Sequence, residues 1–237
     1  LKITTRLFLA ILPQKLKNLI AIETFPFRNN SYSQEGEDLI IDKLLGYKKS
    51  GFFVDIGAHH PLRFSNTAIF YKRGWNGINI DAMPYSMVEF SKSRKLDINL
   101  ETAISNEEET KLFYLFNEPA LNTLNKEEAL SKEGKNGYKI LQTIEVKTVK
   151  LKTVFKQYIG NNEIDFISID TEGNDLNVLK SNDWNKYKPK LILVEELKNK
   201  QFHDLINSEL VTFLREHNYS IVAKTINTLF FKLNATE

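Results

Sequence analysis

Apolar positions along this chain fall into two kinds, clusters at helical spacing and short continuous runs, and their alternation predicts the architecture. The segment SYSQEGEDLIIDKLL sets Leu39, Ile40, Leu44 and Leu45 at helical spacing behind an acidic first turn, as an amphipathic helix does. FFVDI, residues 52–56, is a buried-type strand, and a helix over about 64–72 follows it. A second strand over 77–81 ends in Asp81, and Pro84 starts the next helix. Further strands are expected around 98–104, at the aromatic KLFYLF, and in the alternating TIEVKTVKL. A short helix over 153–158 leads into the apolar run IDFISID, which ends at Asp170. A helix over about 174–180, the strand KLILVEE, a long helix over about 202–217 and an antiparallel pair, YSIVAK with NTLFFKL, complete the pattern. Residues 117–138 are polar and punctuated by glycine, which reads as a long surface excursion with one short helix, the kind of insertion that carries specificity. There is no internal repeat.

Helices alternating with apolar strands imply the α/β class: a Rossmann-like, mainly parallel sheet with helices on both faces, closed by an antiparallel hairpin. Ligands of such sheets sit beyond the carboxyl ends of the strands, where strand order reverses. That rule selects residues 55–61, Asp81, residues 170–173, Glu195 and Glu196.

Composition narrows the classes. The 237 residues suit one domain over 31–237 with an N-terminal helical extension over 1–30. The 32 basic and 30 acidic residues leave a net charge of +2, which argues against a nucleic-acid partner held through its phosphates. The absence of cysteine excludes disulfides and thiolate metal sites. The apolar run 7–12 ends at Pro13, before Lys15 and Lys17, and is too short to span a membrane. Two readings of it stay open: a helix packed on its own domain, or a segment lying on a membrane surface. The expected location is the cytoplasm, with peripheral contact at the inner membrane face under the second reading. Oligomeric state is not legible.

A glycine directly after the first strand, Gly57, lets backbone approach a ligand closely, and an acid ending the second, Asp81, accepts both hydroxyls of a ribose. The pyrophosphate fingerprint needs two more glycines, and Ala58, His59 and His60 occupy the turn instead. A nucleoside cofactor without pyrophosphate, S-adenosylmethionine, fits better than a nicotinamide dinucleotide. The plainer alternative is that Gly57 turns the chain and Asp81 caps the helix at Pro84.

SQEGED, FFVDIGAHHPLRFSNT, GWNGINIDAMP, ETAISNEEETKLFYLF and DFISIDTEGNDLNVLKSNDW, in this order from about Ser31 to Phe231, resemble the successive blocks of the FkbM-type S-adenosylmethionine-dependent methyltransferases. The resemblance implies a class I methyltransferase sheet and methyl transfer to oxygen, commonly on sugars of glycans, glycolipids or natural products. It also implies roles for particular residues: Asp55, Gly57 and Ala58 along the methionine part of the cofactor, Asp81 on the ribose, and Ala82, Met83, Thr102, Ala103 and Ile104 around the adenine; His59, in the same turn, is a further cofactor-binding candidate. Asn66 would reach the cofactor carboxylate, and Gln34 and Glu37 would close over the cofactor. Many members carry asparagine and a second glycine after DIGA, where this chain has His59, His60 and Pro61.

Methyl transfer to a hydroxyl requires alignment of the acceptor oxygen and removal of its proton. One route is a histidine base, with His60 preferred over His59. The other is a divalent metal, magnesium or manganese, on Asp170, Glu195 and Glu196, positions similar to the metal ligands of catechol-type and macrolide-sugar O-methyltransferases. Within the FkbM pattern Glu172 instead bonds the acceptor directly, which makes His60, Asp170 and Glu172 the catalytic candidates. The expected activity is therefore O-methylation of a carbohydrate or glycosylated small molecule. A catalytically idle scaffold of a glycan-assembly complex and a nicotinamide-dependent oxidoreductase are the rivals.

Overall fold

In a computed structural model of the chain, residues 13, 29–196 and 202–235 are described. Residues from Tyr32 onward form one compact unit. The expected extension over 1–30, and with it the membrane-surface reading, lies almost wholly outside the described residues. Among the described residues no helix is long and apolar enough to cross a membrane.

The expected sheet is present. Strands β1 (Phe52–Ile56), β2 (Asn76–Asp81), β3 (Ile98–Glu101), β7 (Phe166–Ile169), β8 (Leu191–Glu195), β9 (Tyr219–Lys224) and β10 (Thr228–Leu233) form a sheet in the order β3-β2-β1-β7-β8-β10-β9. The first five run parallel, and β10 pairs antiparallel with both β8 and β9. The chain starts in the middle, moves outward to β3, and crosses back to β7, so the reversal of strand order lies between β1 and β7. A second, smaller sheet joins β4 (Ala103–Ile104), β6 (Ile140–Val149) and β5 (Thr110–Phe116). The single strand expected over 98–104 is thus two, one in each sheet.

Alternation along β1 explains both faces of the core. Phe52, Val54 and Ile56 pack with Ile78, Ile80, Ile167, Ile192 and the helices α5 (Leu151–Tyr158), α6 (Asp175–Lys180) and α8 (Glu209–Glu216). Phe53 points the other way, to Phe70, Trp75, Phe166, Leu193 and Phe230. Trp184 meets Phe213 and Tyr219 edge to face and His217 at a tilt, at the edge of the first cluster, so both tryptophans are packing residues.

Three helix boundaries differ from expectation. Helix α1 (Glu37–Leu44) forms as read, but α2 spans Ala68–Arg73 and α3 Met87–Ser93, each beginning a few residues late. His59, Phe64 and Tyr85 adopt left-handed backbone, which ends any regular helix there. The long helix expected over 202–217 is broken into α7 (Phe202–Leu205) and α8, because the Ser208 hydroxyl caps α8 by accepting from Val211 N. The excursion 117–138 carries a 3₁₀ turn at Pro119–Leu121 and helix α4 (Lys126–Lys132).

Candidate active site

A cavity of about 410 Å³ opens at the carboxyl ends of β1, β2, β7 and β8, under the excursion. Its position is the one the strand-order rule selects. Gly57 (φ 80°) is part of its lining, where an added Cβ would lie 1.7 Å from the carbonyl oxygen of Asp170. Glycine is required there by the crossing of two protein loops, a stricter reason than ligand approach.

Asp81 is held from both sides. His59 N donates to its Oδ2 and Met83 N to its Oδ1, each at 2.8 Å, which fixes the carboxylate plane while each oxygen keeps a lone pair. Burial raises its pKa, and the two backbone donors oppose that. Gln34, Glu37, Gly57, His59, Asn66, Asp81, Ala82, Thr102, Ala103 and Ile104 line the cavity. Asn66 spends its amide on Ser168 Oγ at 3.0 Å, bridging the first loop to β7. Glu37 accepts from Glu35 N, and Glu35 in turn accepts from Asn227, so the SQEGED block is tied to the turn before β10.

Asp55, Ala58, His60, Met83 and Glu196 lie outside the lining. Asp55 shares the face of Phe53, and its Oδ2 accepts from Thr67 Oγ1 at 3.0 Å within the protein. Ala58 packs with Met87 and Phe90. The Nδ1 of His60 accepts from Leu62 N (3.0 Å) and Arg63 N (2.9 Å), so the ring shapes its own turn. Its neighbour His59 is the histidine that borders the cavity. Its Nε2 lies 3.0 Å from an Arg63 nitrogen, its ring stacks on Phe64, and burial followed by the Arg63 charge lowers its pKa. Arg63 also forms a two-point pair with Glu118 of the excursion, at 2.9 and 3.0 Å, across the cavity mouth.

Behind this loop, Arg94 is fully buried and donates to Pro61 O at 2.6 Å and Ser65 Oγ at 3.2 Å, with Asp97 at 3.6 Å. This one guanidinium holds the whole 61–67 segment in its irregular shape.

On the far side of the cavity, ligand oxygens of Asp170, Glu172 and Glu195 lie within 4.8 Å of one another. Glu172 thus stands where the sequence reading put Glu196. The reason is the strand period: Glu195 shares a face with Leu193, and its successor Glu196 turns to the other. Burial, then the charge of Asp170, pushes Glu195 up to about 11, and its Oε2 is buried with no hydrogen-bond partner among the described residues. Asp170 faces the cavity and not bulk water, and this desolvation, then the charges of Glu172 and Asp175, raises its pKa well above the carboxylate range. Acids so placed share protons, and Asp170 and Glu195 as a pair hold a proton more tightly than isolated carboxylates do. Glu172 is itself raised by burial, against the opposing pull of Lys132, whose ammonium bonds it from the excursion. Arg63, Phe64, Glu118 and Lys132 were not singled out from the sequence. Only the excursion's length and polarity pointed toward the last two.

The family model for the methyltransferase FkbM domain matches residues 55–221, well over half of the chain. No curated protein sequence matches. Among solved structures, a candidate RNA methyltransferase from Pyrococcus horikoshii aligns over 94% of this chain and 98% of its own, with 10% identity and a TM-score of 0.41. An O-methyltransferase from Bacillus cereus, solved in complex with SAH, aligns over 94% and 93%, with 11% identity and a TM-score of 0.42. A tRNA (uracil-54, C5)-methyltransferase from Pyrococcus abyssi aligns over 86% of this chain and 40% of its own, with 12% identity and a TM-score of 0.37. With its sheet order and the match over residues 55–221, the chain belongs to the FkbM methyltransferase family.

Proposed function

We propose that this chain transfers a methyl group from S-adenosylmethionine to a sugar hydroxyl of a glycan, glycolipid or glycosylated metabolite. The observation that carries the reading is the pairing, in one cavity, of a fixed ribose-type acceptor with a proton-accepting acid group. Asp81 has its two oxygens oriented by backbone and spare lone pairs, which suits two vicinal hydroxyls. Gln34, Ala82 and Ala103 would flank the same ligand. When bound, S-adenosylmethionine supplies a methyl group on a sulfonium sulfur, a leaving group that needs no further activation.

Removing the acceptor proton is then the task of the chain's own residues. Asp170, open to the cavity and made more basic by burial and its acidic neighbours, accepts that proton. Glu195, hydrogen-bonded to Asp170 and sharing a proton with it, orients that carboxyl. Glu172 accepts a hydrogen bond from a second acceptor hydroxyl. Several carboxylates and amides around one cavity favour an acceptor rich in hydroxyls over an apolar one, which is the reason for preferring a sugar. His60, whose Nδ1 is committed to its own turn, has no place in this scheme.

The experiment is transfer of tritiated methyl from S-adenosylmethionine onto a panel of sugars and lipid-linked glycans. Incorporation that requires the acceptor is the expected result. Cofactor binding with no incorporation on any hydroxylated acceptor would reject the O-methylation reading.

A further inference from the structure

Three acids facing one cavity invite a divalent cation, and the surroundings decide whether one fits. Helix α4 of the excursion ends in Lys132, whose ammonium bonds Glu172 Oε2 and lies 3.2 Å from Glu128 Oε1. Its side chain is 16% exposed and that of Glu172 10%, so the pair is held largely out of water. Side-chain bonds to backbone carbonyls dock the same segment on the same turn: Thr123 Oγ1 donates to Glu172 O at 2.7 Å, and Asn125 Nδ2 to Gly173 O at 3.1 Å. Asn125 is also the cap of α4, accepting from Glu127 N and Glu128 N. Lys132 is therefore delivered to Glu172 by a helix whose start is pinned to the adjoining residue.

An ammonium in this place opposes a divalent cation. A metal bridging Asp170, Glu172 and Glu195 would have to displace Lys132 from Glu172 or sit beside it, like charge against like, where solvent screens poorly. With Lys132 present the donor set does not fit a metal.

We propose that Lys132 takes the place of a metal ion in this site, as a positioning residue that neutralises the acid group, holds Glu172 toward the acceptor and keeps the excursion closed over Asp170. Its effect on turnover rests on the methyl-transfer reading above; its effect on ion binding does not.

The test uses the full chain and manganese alone as probe, with free Mn²⁺ followed by electron paramagnetic resonance. Lys132→Met, checked for folding by circular dichroism, should bind Mn²⁺ at least tenfold more tightly than the unsubstituted chain. Adding Glu172→Gln should abolish the gain, and Lys132→Arg, which restores the charge, should show none. Where an acceptor is turned over, Lys132→Met should lower kcat tenfold or more with S-adenosylmethionine affinity unchanged, and Mn²⁺ should return part of it. Equal Mn²⁺ affinity in the unsubstituted chain and the folded variant overturns the proposal, as does chelator-sensitive turnover of the unsubstituted chain. Should Lys132→Met not fold, Lys132→Gln is read by the same criteria. A chain that transfers no methyl group at all defeats the functional reading and leaves the manganese comparison intact.

Discussion

Two residues one position apart, His59 and His60, divide the work of their turn, and neither has the free lone pair of a general base. The Nδ1 of His60 takes two backbone N–H groups, so His60→Ala should destabilise the fold by roughly 1 kcal/mol for the lost bonds. The pH profile of turnover should stay in place, and a profile that loses its acid limb in this variant would restore the histidine as base. Asp170 carries the contrary expectation. Asp170→Asn should retain cofactor binding and lose about 10²–10⁴-fold in turnover, the range of a positioned base. Because its pKa stands well above the carboxylate range, the unsubstituted rate should rise with pH until Asp170 is ionised. A rate that is flat from the acid side to neutrality counts against it.

At the scale of elements, the loop 57–67 decides the site and is the least regular part of it. Helix α2 starts only at Ala68, since Arg94 from beyond α3 reaches under the loop to Pro61 O and Ser65 Oγ. Removing a buried guanidinium leaves those acceptors and Asp97 without their cation. Arg94→Met should cost about 3–5 kcal/mol in denaturant unfolding. It should also weaken cofactor binding, because His59 N, which orients Asp81, belongs to the same loop. A loss below about 1 kcal/mol would show that the loop holds its shape without Arg94. Glu118 and Lys132 reach the cavity from a different element, the excursion, through contacts to Arg63 and Glu172.

The molecule as a whole concentrates buried acids along the cavity and its supporting loop, and its stability should register them. Burial, ahead of every other cause, pushes Asp55 up from 3.8 to about 6, against the bond from Thr67 and the charge of Arg94. Asp97 rises to about 6 for the same leading reason. The folded chain therefore holds these protons more tightly than the unfolded one, so the stability these two groups contribute is fully present below the unfolded pKa and is lost as pH rises through about 6. For Asp55 alone the decline amounts to roughly 3 kcal/mol. Asp55→Asn should remove that share of the slope in unfolding free energies measured between pH 4 and 7. An unchanged slope would mean that Asp55 is ionised in the folded state over the whole range.

The sequence by itself determined the alternating strands and helices, the parallel sheet with its closing hairpin, and the strand ends from which Gly57, Asp81, Asp170 and Glu195 project. Those follow from spacings of two and about 3.6 residues, which are local and survive in a string of letters. Tertiary structure alone decided which member of an adjacent pair faces the cavity: His59 and not His60, Glu195 and not Glu196. For the glutamates a period of two sets the alternation, but its phase depends on which face of the strand meets the core; the histidines lie past the end of β1, where the left-handed backbone of His59 breaks any period. Only the tertiary structure, too, brought Lys132 to Glu172 across 40 residues of chain and Arg63 to Glu118 across 55. Such pairings rest on how the excursion folds back over the sheet, and no spacing within the chain encodes that path.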